Sequence, residues 1–207
     1  SKKDNLLHAP DTYMEKIAVG KNIKEGVIDL DFGITKNLKN LADFKNTTPD
    51  KLTICLLERE RHDHIVKDAK QLGTKIKFIS DGDVAGAIYA GIEEFKVDIY
   101  LGVGGAPEGV LAAAAIKCLG GQFQARLVLS NDHEIDKAKK MGIKDLKKKY
   151  YINDIVKDDV LFCATGVTGG DLLQGIEILD NGFYQSETYV LHHASKLNKK
   201  IINKFKI

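Results

Sequence analysis

Short apolar runs alternate with segments in which apolar residues recur every three or four positions, and this pattern runs through residues 52–119. The short runs are bounded by turn residues and predict strands over residues 52–57, 75–79 and 97–103. The longer segments predict helices over residues 62–72, 83–94 and 109–119. Strands that alternate with helices are typical of an α/β fold, in which a layered parallel or mixed sheet carries flanking helices.

The pattern continues less regularly towards the end of the chain. It predicts further strands over residues 122–129 and 160–163, a helix over residues 133–141, and an edge strand over residues 183–192. We find neither an internal repeat nor a linker rich in proline or serine that would divide the sequence. We therefore expect residues 1–207 to form one domain.

The composition of the chain argues against nucleic acid and membranes as binding partners. Hydrophobic residues make up 43% of the 207 residues, which is enough for a substantial core. The 29% of charged residues nearly cancel, and the net charge of +2 provides no field that would attract nucleic acid or a membrane surface. The longest apolar run, residues 110–116, is too short to span a bilayer. We expect neither a nucleic-acid nor a membrane partner.

The cysteines indicate a reducing compartment. Cys55, Cys118 and Cys163 are far apart and do not have the spacing of a zinc site. Each lies in an apolar context, so the sequence predicts buried, reduced thiols in a cytoplasmic protein.

A glycine-rich segment, GVGGAPEGV at residues 102–110, joins a predicted strand to a predicted helix. Its first glycines lie at the carboxyl end of the strand, where open α/β sheets bind ligands. Pro107 suits the first turn of the helix, and Glu108 lies in the same turn. Glu108 could contact a ligand, or it could simply stabilise the positive end of the helix.

Two of the three arginines, Arg59 and Arg61, stand next to a predicted helix N-terminus. If the preceding strand extends this far, both side chains share one face. Two guanidinium groups beside a helix start would bind phosphate well. The alternative is an exposed salt-bridge cluster with the neighbouring glutamates.

Two other segments allow a similar choice between a structural and a binding role. Asp81 and Asp83 follow a predicted strand, and they could act as a turn residue and a helix N-cap respectively. Tyr13 has the pattern of a half-buried strand aromatic.

Five segments in this order resemble the signatures of class II fructose-1,6-bisphosphatases. They are APDTYMEK at residues 9–16, RHD at 61–63, DGDVA at 81–85, GVGGAPEGV at 102–110 and ATGVTGGDLLQGI at 164–176. Two positions depart from the family pattern: Arg59 stands where lysine is usual, and Glu60 stands where proline is expected.

The resemblance implies a sugar-phosphatase-like fold and a hydrolase of gluconeogenesis. Such an enzyme would convert fructose 1,6-bisphosphate to fructose 6-phosphate and phosphate with Mn²⁺ or Mg²⁺. By the same resemblance Glu108 is a metal ligand and Tyr13 reaches a substrate phosphate. The other implied substrate-binding residues are Arg59, Arg61, Asp81, Gly82, Asp83 and Gly105.

The resemblance also implies that the chain is the C-terminal part of a longer, homo-oligomeric enzyme. The N-terminal half would carry most metal-binding carboxylates, so we expect the 207 residues alone to be inactive. Three alternatives stay open: a sedoheptulose bisphosphatase, a noncatalytic sugar-phosphate-binding module, and a dinucleotide-dependent oxidoreductase. The last is disfavoured because Pro107 replaces the third glycine of the G-x-G-x-x-G pattern.

Overall fold

The computed structural model describes residues 1–206, and these fold into strands and helices joined by short turns. The strands are β1 (Tyr13–Val19), β2 (Thr53–Leu57), β3 (Lys75–Ile79), β4 (Ile99–Gly105), β5 (Gln122–Val128), β6 (Lys149–Tyr151), β7 (Leu161–Thr165), β8 (Glu177–Ile178), β9 (Phe183–His192) and β10 (Leu197–Lys206). The α-helices are α1 (Gly33–Phe44), α2 (Asp63–Gln71), α3 (Asp83–Gly91), α4 (Ala106–Leu119), α5 (Asp132–Lys140) and α6 (Ile152–Ile155).

The main sheet is mixed and has the strand order β3-β2-β4-β1-β5-β6. Strand β2 runs parallel to β3 and β4, whereas β1 is antiparallel to both β4 and β5. The chain passes from β2 to β3 on one side and then to β4 on the other. The strand order therefore reverses between β2 and β4, and α/β folds bind ligands at the carboxyl ends of strands around such a point.

Helices cover both faces of the main sheet, which confirms the predicted layered α/β architecture. Leu38 and Leu41 of α1 and Ile65 of α2 pack against one face. Apolar side chains of α3 and α4 pack against the other face, together with Met14 and Ala18 of β1. Alternate residues of β1 thus contribute to two separate hydrophobic clusters.

A smaller antiparallel sheet has the order β10-β9-β7, and β8 also pairs with β9. The prediction of an edge strand over residues 183–192 is therefore wrong, because β9 lies inside this sheet. Its neighbour β10 is a lysine-rich segment whose apolar residues are mostly exposed, so its strand character is weak in the sequence. Phe162, Tyr189 and Leu191 of the small sheet belong to the same buried cluster as α4.

The cysteine prediction holds for two residues. Cys55 and Cys118 are buried, and burial raises the pKa of their thiols to about 12 and about 11. Cys163 is exposed, contrary to the prediction. The alternation of β7 turns Phe162 inward and Cys163 outward, although both residues lie in an apolar stretch.

Among residues 1–206, no helix has both the length and the apolar composition needed to cross a membrane.

Candidate functional site

The predicted site residues meet at one edge of the main sheet. This edge holds the carboxyl ends of β2, β3 and β4 and the first residue of β1, because Tyr13 pairs with Gly105. Helices α2, α3 and α4 begin here, one after each of the three parallel strands. Three helix N-termini at one edge create a positive potential that favours an anionic ligand.

Arg61 and Tyr13 lie together on the exposed surface of this edge. The Arg61 Nε atom donates a hydrogen bond to the carbonyl oxygen of Val103 at 2.8 Å. The guanidinium carbon of Arg61 lies 5.1 Å from the centre of the Tyr13 ring, within the range of a cation–π contact. The carbonyl and the ring therefore hold the Arg61 side chain from two sides.

The strand extension that would give the two arginines a shared face does not occur. Strand β2 ends at Leu57, and a 3₁₀ turn over Glu60–His62 follows, so strand alternation does not reach Arg59 or Arg61. The guanidinium of Arg59 donates to the carbonyl oxygens of Glu58 at 2.8 Å and Ser80 at 2.7 Å. Arg59 thereby connects the loop after β2 to the loop after β3.

Helix α3, which follows the loop after β3, has a different N-cap residue from the one predicted. Gly82, with φ +86°, is the residue that precedes α3, and Asp83 is the first residue of the helix rather than its N-cap. Asp81 and Gly82 are exposed, but Asp83 is buried and accepts hydrogen bonds from Lys16 and Tyr100. A Cβ atom at Gly104 would lie 2.7 Å from Cγ of Asp83, so glycine is required to make room for the carboxylate.

Lys16 is a residue of this edge that the sequence analysis missed. Its side chain is fully buried, and its ammonium donates to the Asp83 carboxylate and to the carbonyl oxygen of Gly105 at 3.0 Å. Burial lowers the pKa of Lys16, and the Asp83 carboxylate opposes that effect. The sequence signal is a lysine in phase with the buried residues Met14 and Ala18 of β1.

His62 is a second missed residue. Its buried ring lies between the ends of β2 and β4, 2.8 Å from the carbonyl oxygen of Leu57 and 2.8 Å from the backbone nitrogen of Val103. The motif RHD at residues 61–63 drew attention to the arginine and gave no sign of where the histidine would pack.

Glu108 is exposed in the first turn of α4, beside Gly105, where the prediction placed it. Mg²⁺ and Mn²⁺ prefer about six oxygen ligands. In the part of the chain that the structure describes, no three His, Cys, Asp or Glu residues lie close enough together to hold a metal ion. Glu108 alone does not make a metal site, so these residues do not fit a complete one.

A cavity of about 1180 Å³ lies at the opposite end of the main sheet. Its lining includes Gly91 and Leu119, the last residues of α3 and α4, as well as Lys75 at the start of β3. Six lysines and three acidic residues line the cavity, so its side chains carry a net positive charge although the helix C-termini there carry partial negative charge. Charge therefore does not distinguish the two places, and it is the predicted motifs that favour the exposed edge over this cavity.

Comparison with known proteins decides the family. The model of the family described as "Bacterial fructose-1,6-bisphosphatase, glpX-encoded" matches residues 1–205. The chain belongs to the class II fructose-1,6-bisphosphatase family. This confirms the resemblance carried by the five sequence motifs.

Three relatives in this family illustrate the similarity. The chain is 40% identical to "Fructose-1,6-bisphosphatase class 2" of Haemophilus influenzae, over 96% of this chain and 63% of the relative. It is 39% identical to "Fructose-1,6-bisphosphatase 2 class 2" of Escherichia coli, over 87% of this chain and 60% of the relative. A Synechococcus relative, "D-fructose 1,6-bisphosphatase class 2/sedoheptulose 1,7-bisphosphatase", is 36% identical over 95% of this chain and 60% of its own length. The chain thus spans about three fifths of these relatives.

Proposed function

We propose that this chain is the sugar-phosphate-binding part of a divalent-metal-dependent fructose 1,6-bisphosphatase. The reaction would yield fructose 6-phosphate and inorganic phosphate, a step of gluconeogenesis. The observation that carries the proposal is that Tyr13, Arg61, Gly105 and Glu108 meet at one electropositive edge, although they come from three separate segments of the chain. Family membership of residues 1–205 supports the same activity.

The geometry suggests how the edge would hold the substrate. Arg61 and Tyr13 would bind the phosphate distal to the reacting one, because a guanidinium forms strong charge-assisted hydrogen bonds with phosphate oxygens. Asp81 and Gly82 would face the sugar hydroxyls from the exposed loop after β3, and the backbone of Gly105 would border the sugar. Asp83 would act from below this surface, since Lys16 and Tyr100 occupy its carboxylate.

Arg59 has a narrower role in this proposal. Its two backbone hydrogen bonds hold two loops of the edge together, so it would shape the phosphate site and add positive charge. Lysine, which is usual in the family at this position, keeps the charge but lacks the planar fork that spans both carbonyls.

The metal dependence would belong to the complete enzyme. Glu108 would supply one ligand to Mn²⁺ or Mg²⁺, and the remaining carboxylates would come from an N-terminal half of the same enzyme. Because no three possible metal ligands lie together among the described residues, the contribution derived for this chain is substrate binding and orientation.

A second substrate is favoured by one comparison. The Synechococcus relative carries both fructose and sedoheptulose bisphosphatase activities in its name. Both substrates are ketose bisphosphates that differ in the length of the carbon chain. An exposed edge that binds the distal phosphate would accept either of them.

The experiment uses the complete enzyme and compares fructose 1,6-bisphosphate with fructose 1-phosphate, which lacks the distal phosphate. We expect Arg61→Ala to lower kcat/KM for the bisphosphate by roughly ten- to a hundredfold, the loss of one charge-assisted hydrogen bond. Arg61→Lys should restore only part of the loss. The monophosphate should change little.

Lys67→Ala is the matched control, because Lys67 is an exposed positive charge on α2. Equal losses on both substrates for Arg61→Ala would reject the distal-phosphate role. A wild-type enzyme that releases no phosphate from fructose 1,6-bisphosphate with Mn²⁺ or Mg²⁺ would reject the proposed function.

A further inference from the structure

The reversal of strand order between β2 and β4 leaves a gap that a side chain fills. The two strands pair in register only at Ile54 with Ile99 and Cys55 with Tyr100 within the described residues. Beyond Cys55 the chain continues to Leu57, turns, and brings the ring of His62 back between the strand ends. The side chain of His62 is completely buried there.

The two contacts of His62 fix which ring nitrogen carries the proton. A carbonyl oxygen can only accept, so Nδ1 donates to Leu57. A backbone N–H can only donate, so Nε2 is unprotonated and accepts from Val103. The neutral imidazole thereby replaces the direct hydrogen bond that adjacent strands would otherwise form.

Gly102 gives independent support for a built position. A Cβ atom at Gly102 would lie 3.2 Å from Cε1 and 3.4 Å from Nε2 of His62. The first distance is tighter than ordinary van der Waals contact, and the second lies at its limit. Glycine at the first position of the segment GVGG therefore leaves room for the imidazole, which a side chain there would push aside by a few tenths of an ångström.

Val103 links His62 to the residue beside it. Its backbone N–H donates to Nε2 of His62, and its carbonyl oxygen accepts from Nε of Arg61, both at 2.8 Å. The adjacent residues Arg61 and His62 thus form hydrogen bonds with the backbone carbonyl and the backbone N–H of Val103 in β4. Arg61 and His62 lie in the same 3₁₀ turn, Glu60–His62. The position of the Arg61 guanidinium over the Tyr13 ring therefore depends on where this turn is held.

We infer that His62 is a positioning residue that fixes Arg61 for the distal phosphate by bridging Leu57 and Val103. The inference rests on the proposed function. His62 is buried and lies behind the exposed surface, so it acts through Arg61 and the turn instead of contacting the substrate.

The test is a double-mutant cycle in the complete enzyme. We expect His62→Leu to lower kcat/KM for fructose 1,6-bisphosphate on the order of tenfold, mainly through KM, because a displaced binding group loses its geometry. The value for fructose 1-phosphate should stay within about twofold on the same reasoning. In an Arg61→Ala background, His62→Leu should cause almost no further loss for the bisphosphate.

Two near-isosteric variants separate the two hydrogen bonds. In His62→Gln the amide oxygen occupies the place of Nε2 and accepts from Val103, whereas in His62→Asn the amide nitrogen occupies the place of Nδ1 and donates to Leu57. We expect the glutamine variant to be closer to wild type, because the Val103 contact is the one shared with Arg61. These variants decide the matter if His62→Leu does not fold. His64→Leu, at an exposed position in the first turn of α2, is the matched control.

Additive losses of the Arg61 and His62 variants, or equal losses of His62→Leu on both substrates, would overturn the inference. In each of these outcomes a wild-type enzyme that hydrolyses the bisphosphate leaves the proposed function standing. A wild-type enzyme without this activity would instead overturn the proposed function.

Discussion

At the level of single residues, the ammonium of Lys16 occupies a position that β1 otherwise gives to apolar side chains. It is tolerated because the Asp83 carboxylate and the Gly105 carbonyl accept its hydrogen bonds, while Tyr100 satisfies Asp83 from the other side. Breaking a buried ion pair from one side costs more than the pair itself contributes, because the remaining charge stays buried without a partner.

Replacement of Lys16 by methionine should therefore destabilise the protein strongly. We expect Lys16→Met to lower the free energy of unfolding by about 3–5 kcal/mol, since it leaves the buried Asp83 carboxylate without a cationic partner. The double variant Lys16→Met with Asp83→Asn should recover part of the loss, because it removes the unpaired negative charge of the Asp83 carboxylate. Urea unfolding measures both, with Lys67→Met as an exposed control. A double variant less stable than Lys16→Met would contradict this account of the pair.

His62 makes the stability depend on pH. Burial lowers the pKa of His62 below its ordinary value of 6.5, so the folded state binds this proton less readily than the unfolded state does. Its contribution to stability is therefore complete above pH 6.5 and is lost as the pH falls below that value, by at most about 1.4 kcal/mol per pH unit.

We expect His62→Gln to show a flatter decline in stability between pH 7.5 and pH 5.5 than the wild type. Urea unfolding at several pH values measures the difference. Burial also lowers the pKa of His193, but this group is common to both proteins and cancels in the comparison. Parallel declines in the two proteins would show that His62 is not the group responsible.

At the level of elements, α4 separates the two sheets. The side chains of α4 are buried on nearly all sides of the helix, and many of them are alanines, whose small size allows the two sheets to approach the helix closely. A helix with apolar residues on all sides is typical of such a central position.

Enlargement of one of these alanines should disturb both sheets. We expect Ala115→Leu to reduce the free energy of unfolding by about 1–3 kcal/mol, because the surrounding core has no space for three more carbon atoms. Leu111→Ala, at a position on α4 that is 51% exposed, should change it by less than about 0.5 kcal/mol. Thermal or urea unfolding of the two variants makes the comparison, and similar losses would argue against tight packing around Ala115.

The sequence predicted elements well where local periodicity decides, as in β3 and β9, whose limits agree with the structure. It failed where partners distant in the chain decide. Nothing near Asp83 indicates that Lys16 and Tyr100 will bury it, and the run of charged residues around Arg59 gives no sign of the 3₁₀ turn that follows β2. The place of β9 inside its sheet likewise depends on β10, whose lysines conceal a strand.

At the level of the whole molecule, the candidate site is rich in substrate-binding groups and poor in metal ligands. We predict that the 207 residues alone hydrolyse no sugar bisphosphate at any concentration of Mg²⁺ or Mn²⁺, because no three His, Cys, Asp or Glu residues among residues 1–206 lie close enough together to hold a metal ion. A phosphate-release assay on the purified chain, freed of host phosphatases, tests the prediction. Metal-dependent release by that chain would show that the catalytic centre lies within it.

The central place of β1 in the main sheet has a consequence for synthesis. Tyr13 pairs with Gly105 on one side and with Val128 on the other, so β1 has no neighbour in the sheet until β4 has left the ribosome, and its second neighbour follows only with β5. At about 5–20 residues per second the strand waits for several seconds with an apolar face unprotected. We therefore expect nascent chains stalled before β4 to be sensitive to protease and to recruit chaperones, and the Tyr13–Arg61 surface to form only after β4 has been synthesised.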